Sequence, residues 1–132
     1  MEKIRISKKI FISRPMNGVT REEDNKLLKE IRETLIKEHI LGNFVNAEVV
    51  NTWLGPVVPN YIFEDEAHVW RLGRAISEMA EADVLIFVPS SSARGCHVEF
   101  EAYKEYKDVM ADKWRDVFVY ENKKLTRLND ET

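Results

Sequence analysis

The stretch DVLIFVP, residues 83–89, decides the fold. A strand with one wet face alternates apolar and polar side chains, because successive side chains point to opposite faces. Here the apolar residues run on almost without a break from Val84 to Val88. A strand of that kind is buried on both faces, as happens inside a parallel sheet with helices on both sides. The flanking sequence supplies what such a sheet needs. Upstream, WRLGRAISEMAEA (70–82) reads as a helix with Trp70, Ile76, Met79 and Ala80 on its apolar side. Downstream, RDVFVY (115–120) reads as a further strand, after a helix expected over about 96–110.

Further out, KKIFIS (8–13) is a short β-rich apolar run stopped by Pro15 and Gly18. TREEDNKLLKEIRETLIKEH then opens with Thr20 and Glu23 at capping-box spacing. Leu27, Leu28, Ile31, Leu35 and Ile36 recur at helical spacing, so 21–39 reads as an amphipathic helix. A second strand falls near 46–52 in NFVNAEVVNTW. The irregular stretch 54–69, with two prolines, has the length and composition of a binding segment or lid. The C-terminal ENKKLTRLNDET (121–132) is mixed and polar, and is expected to fray. Strands alternating with helices predict an α/β fold with a parallel sheet and right-handed crossovers.

The bulk numbers set limits. At 132 residues the chain is expected to form one domain, 1–132. Its 44% hydrophobic content suffices for a core. A net charge of −3 argues against a nucleic-acid binder, which normally carries a basic excess. One cysteine, Cys96, excludes an internal disulfide and suits a reducing compartment. With no apolar run of membrane-spanning length and no secretion signal at MEKIRISKK, a cytoplasmic location without membrane association is expected.

In sheets of this class ligands bind beyond the carboxyl ends of the strands, where strand order reverses. The loops there would be SRPMNG (13–18) and SSSARG (90–95), each polar and each with one arginine. Ser90, Ser91, Ser92, Arg94 and Gly95 precede a helix whose free N–H groups favour an anion, although serines there can simply cap the helix. Neither a P-loop nor a dinucleotide fingerprint is present. Positions 96, 99, 103, 106 and 110 share one helical face and read Cys, Glu, Tyr, Tyr, Met. Glu99 is thus a lone acid in an apolar stripe, where the helix dipole would help keep it ionised. An ionised carboxylate in a partly apolar cleft is what a sugar-attacking nucleophile requires. Glu101 reads as a solvent-facing acid and His97 as a surface or capping residue; EDEAH (64–68) has no metal-ligand spacing. No metal or cofactor is expected.

KIFISRPMNG, EADVLIFVP and ARGCHVEFEAY, in that order, resemble the nucleoside 2-deoxyribosyltransferase superfamily, most closely its small deoxyribosyltransferase-like members. The resemblance spans roughly residues 8–120. It implies a flavodoxin-like (Rossmann-like) three-layer sandwich around a parallel sheet of four to five strands, and a homodimer or higher homo-oligomer. It also implies a glycine four residues before a nucleophilic glutamate, matched by Gly95 and Glu99. In the family this glutamate attacks C1′ of a deoxyriboside and leaves a covalent deoxyribosyl-enzyme. A base takes the sugar in transferases, and water takes it in the related nucleotide hydrolases. The loop Ser13, Arg14, Met16, Asn17 and Gly18 would line the nucleoside pocket, and Ser13, Arg14, Ser91 and Ser92 would suit a phosphate.

Two features depart from the family pattern. An aspartate usual on the helix before the third strand, thought to assist the leaving base, is replaced by Arg74 and Ala75. Ala93 stands where a serine precedes the Arg-Gly pair, with Ser92 one residue earlier. The expectation is therefore an N-glycosidic-bond enzyme acting on a nucleoside or nucleotide. The rivals are a non-catalytic nucleotide-binding module and an NAD glycohydrolase. The aromatic load of Trp53, Trp70, Tyr103, Tyr106 and Trp114 adds to the expectation of an oligomer, since large aromatics are enriched at interfaces.

Overall fold

In the computed structural model, residues 7–15, 19–38, 46–50, 67–89 and 94–128 are described. The elements run β1 (Ser7–Ser13), α1 (Arg21–Lys37), β2 (Asn46–Val49), α2 (Ala67–Glu81), β3 (Val84–Phe87), α3 (Arg94–Tyr106), β4 (Asp116–Glu121) and β5 (Lys124–Arg127). The chain is α/β. Its five strands form one sheet in the order β2-β1-β3-β4-β5. β2, β1, β3 and β4 are parallel, while β5 returns antiparallel on β4, so the sheet is mixed.

β5 corrects the expectation of a frayed end. Glu121 pairs with Lys124, and the two residues between them, Asn122 and Lys123, both have positive φ (54° and 61°). Two consecutive left-handed residues make the tight hairpin turn whose twist matches the strands. Lysine in place of the usual glycine hides that turn in the sequence.

The apolar run of β3 is buried along its whole length, as its sequence requires. Alternation along β1 divides the core in two. Ile10 and Ile12 join Ile31 and Leu35 of α1 on one face, together with Val84, Ile86, Phe118 and Tyr120. Phe11 joins Met79, Leu85, Phe87, Tyr103, Trp114 and Val117 on the face covered by α2 and α3. Trp114 donates its Nε1–H to the Met79 carbonyl at 3.0 Å, so the indole is satisfied in the core. Tyr103 and Trp114 are therefore core aromatics, which removes them from the interface argument. Trp70 is half-buried, Tyr106 is exposed, and Trp53 lies outside the described residues.

α1 begins where the capping box predicts. The Glu23 amide donates to Thr20 Oγ1 and the Thr20 amide to Glu23 Oε1, both at 3.1 Å. Those bonds hold the Glu23 carboxyl below its ordinary range. Three apolar assignments fail. Ile36, Ala80 and Tyr106 point outward because each lies at the margin of its helix's apolar arc, past the width that the sheet covers. α3 also starts two residues earlier than expected and ends at Tyr106, with turns following it to residue 113.

Candidate functional site

β1 and β3 are parallel neighbours that end in register, Ser13 opposite Phe87. The loops after them therefore leave from the same end of the sheet, as the two polar loops require. At this end two consecutive residues diverge. Period-2 alternation sends Ser13 to the α2/α3 side and Arg14 to the α1 side.

Ser13 is buried, and its Oγ–H donates to Glu99 Oε1 at 2.5 Å. That length belongs to hydroxyl–carboxylate bonds, the stronger, charge-assisted kind. Glu99 itself is 8% exposed. Its neighbours on α3 explain the burial. Phe100 packs edge-on against Phe87 with centroids 5.1 Å apart, and Tyr103 lies 5.5 Å from the same ring. Desolvation pushes the Glu99 carboxyl up to about 7, against the lowering effects of the Ser13 hydrogen bond and the Arg14 charge; Glu78 adds a small upward push. The expectation that the helix dipole keeps Glu99 ionised is thus corrected. Because α3 starts at Arg94, Glu99 falls in the second turn, where the dipole has weakened, and burial prevails. Near neutral pH both the protonated and the ionised form of this carboxyl are therefore populated.

Arg14 has a different employment from the one expected. Its side chain is fully enclosed, and its Nε and Nη2 groups grip both oxygens of Asp24 at 2.6 and 2.9 Å. Its Nη1 donates to the Ile12 carbonyl at 3.0 Å. It contributes charge to the site rather than an open phosphate clamp. Asp24 was missed by the sequence reading, yet a signal was there. Asp24, Leu28, Ile31 and Leu35 follow the i, i+4, i+7, i+11 spacing of the buried stripe, with an acid at its head.

Glu78 on α2 was also missed. It is one helical turn from Ala75, on the same side of the helix, and its Oε1 accepts from Arg74 Nε at 3.1 Å. Burial raises its carboxyl, partly offset by Arg74 and, more weakly, by Arg14. Side chains on a helix lean toward its N-terminus, and α2 runs opposite to the strands, so Glu78 leans toward the sheet end that carries Ser13. Ala75 packs against the apolar cluster of Phe11, Met79 and Phe87. A carboxylate at position 75 would meet apolar side chains; the acid of α2 stands one turn later.

Met16, Asn17, Gly18, Ser91 and Ser92 lie outside the described residues. Arg94 and Gly95 open α3, but only their backbone is described. His97 is exposed, and Glu101 pairs with Lys104 at 2.8 Å on the solvent side, as read from the sequence. Among the described residues no cluster of His, Cys, Asp or Glu could hold a metal ion, and no helix is long and apolar enough to cross a membrane. Comparison with models of protein families, with curated proteins and with solved structures gives no match to this chain.

Proposed function

We propose that this protein cleaves the N-glycosidic bond of a nucleoside or nucleotide, with Glu99 as the nucleophile. The observation that carries the reading is the buried Glu99 carboxyl, held by the Ser13 hydroxyl at the carboxyl end of the parallel strands. An acid is tolerated in such a place when it is hydrogen-bonded and functional. Ser13 engages Oε1 and fixes the carboxylate plane, so that Oε2 is the oxygen that attacks. In the first step Oε2 bonds to C1′, the C1′–N bond breaks, and its electron pair leaves with the base. Glu78 is the described carboxyl best suited to donate the proton that the departing base takes up: burial raises it and Arg74 engages its Oε1, whereas Arg14 grips both oxygens of Asp24. In the second step a new base or water attacks C1′ and gives its proton to the Glu78 carboxylate, the ester bond breaks, and the Glu99 carboxylate is restored.

The strand order, with β1 and β3 at the centre, supports a flavodoxin-like three-layer arrangement. A homo-oligomer belongs to the same proposal, supported by Val98 and Tyr106, which stay exposed on the outer side of α3. The second reading, a binding module without chemistry, draws its support from Ala75. Incubation with nucleosides, deoxynucleotides and NAD, with and without an acceptor base, separates the possibilities. Base exchange indicates a transferase and free base without acceptor a hydrolase. Retained ligand with neither product would leave a binder and end the catalytic reading.

A further inference from the structure

We propose that Arg71 on α2 is the anion-binding residue of this site, its guanidinium taking a phosphate carried by the ligand. The motivating observation is a donor without an acceptor. Arg71 Nε is buried, and it is the buried side-chain polar atom that finds no hydrogen-bond partner among the described residues. A buried N–H left unpaired is costly, and nearly all such groups in folded proteins are satisfied. Arg14 and Arg74, by contrast, are engaged. Asp24 and the Ile12 carbonyl hold Arg14. Glu78 holds Arg74, whose guanidinium also lies 5.9 Å from the centre of the Trp70 ring.

The place of Arg71 in the fold turns this donor to the site. α2 and α3 pack on each other over one face of the sheet. Each helix leads into a strand parallel to β1, so both run opposite to the strands and begin at the sheet end that carries Ser13. Arg71 is the fifth residue of α2 and Glu99 the sixth of α3, so both stand in the second turn of neighbouring parallel helices. Arg71, Ala75 and Glu78 share one flank of α2 by their i, i+4, i+7 spacing. That flank is half-buried, and its Ala75 packs into the same cluster as Phe100 and Tyr103 of α3; Val69, Gly73 and Ala80 on the opposite flank are exposed. Packed helices have axes about 8–10 Å apart. A ligand between α2 and α3 can therefore meet Glu99 with its sugar and Arg71 with its phosphate. A guanidinium only donates, keeps its charge, and matches two phosphate oxygens with parallel N–H groups. The site then prefers a nucleotide to a nucleoside. The nucleotide rests on the reading of Glu99 as nucleophile, whereas the anion site does not.

Calorimetry on the Glu99→Gln chain, in which substrate is not consumed, compares the common deoxynucleoside 5′-monophosphates, their nucleosides and inorganic phosphate. The best-bound monophosphate should bind at least about tenfold tighter than its nucleoside, as hydrogen bonds to a charged group allow. Arg71→Met should remove most of that difference and leave nucleoside affinity nearly unchanged. Arg71→Lys keeps the charge without the planar fork and should retain only part of the difference. In the unsubstituted protein, inorganic phosphate should shift the nitrogen-15 NMR resonance of the Arg71 Nε–H, a readout that requires no variant to fold. An Arg71 resonance unmoved by phosphate and by every monophosphate overturns the proposal. So does a preference for monophosphates that survives in folded Arg71→Met. If phosphate shifts Arg71 while no nucleoside or monophosphate binds, the anion site stands and the N-glycosidic reading falls. The two failures are therefore distinct.

Discussion

Ser13 and Glu99 lie 86 positions apart in the chain and meet at 2.5 Å, hydroxyl to carboxylate. Neither residue alone marks a site. Together they give a buried acid one fixed hydrogen bond at the place where parallel strands end, and the predictions below turn on that contact.

Glu99→Gln should abolish turnover and stabilise the protein at alkaline pH. The carboxyl titrates at about 7 in the fold, against an ordinary value of 4.5. A raised acid favours folding below its ordinary value, and that contribution is lost as pH rises through its folded value. Stability should therefore fall between about pH 4.5 and 7, by up to roughly 3 kcal/mol, and level off above. Urea denaturation at pH 8 should find Glu99→Gln more stable than the parent, with the gap closing near pH 4.5. An equal gap at both pH values would contradict the burial account.

Ser13→Ala should raise the Glu99 titration further, because the hydroxyl lowers it. The pH at which activity switches on should move upward with it. Leaving the buried carboxylate without this partner should cost about 1–3 kcal/mol at pH 8. Paired pH–rate and denaturation curves measure both effects.

Arg14→Met should be among the most destabilising single changes. It leaves Asp24 enclosed without its cation, at a cost of about 3–5 kcal/mol. Arg14→Met/Asp24→Leu should recover most of that loss, since replacing a buried ion pair with apolar residues is often neutral. A double-mutant cycle from denaturation midpoints measures the coupling.

Glu78→Gln should slow release of ordinary bases by about 10²–10⁴ while barely affecting substrates whose base leaves without a proton. Single-turnover rates across leaving groups of graded basicity would show it. A uniform slowing would instead point to a packing effect of α2.

Lys123→Gly should stabilise the protein by up to about 1 kcal/mol. Lys123 sits at φ 61°, a conformation that costs a side-chain-bearing residue about 1–2 kcal/mol, against which glycine's greater chain entropy is set. The thermal midpoint measures the gain.

The sequence by itself determined what depends on neighbours along the chain. The unbroken apolar run 84–88 required a strand with two covered faces, and Thr20 with Glu23 set the start of α1. The lone acid in the apolar stripe of α3 marked Glu99 as worth explaining. These signals are local periods and caps, and they survive in one dimension. Asp24 carried the same kind of signal, an acid heading a buried stripe, but it was inseparable from the charged residues of a normal first turn. The tertiary structure decided which partner each of these groups has. β1 sends Ser13 to α3 and Arg14 to α1, so adjacent residues serve opposite faces of the sheet. Whether Glu99 is ionised was also beyond the sequence. Helix position favours the anion, burial opposes it, and only the packing of Phe87, Phe100 and Tyr103 around α3 shows that burial is the larger effect.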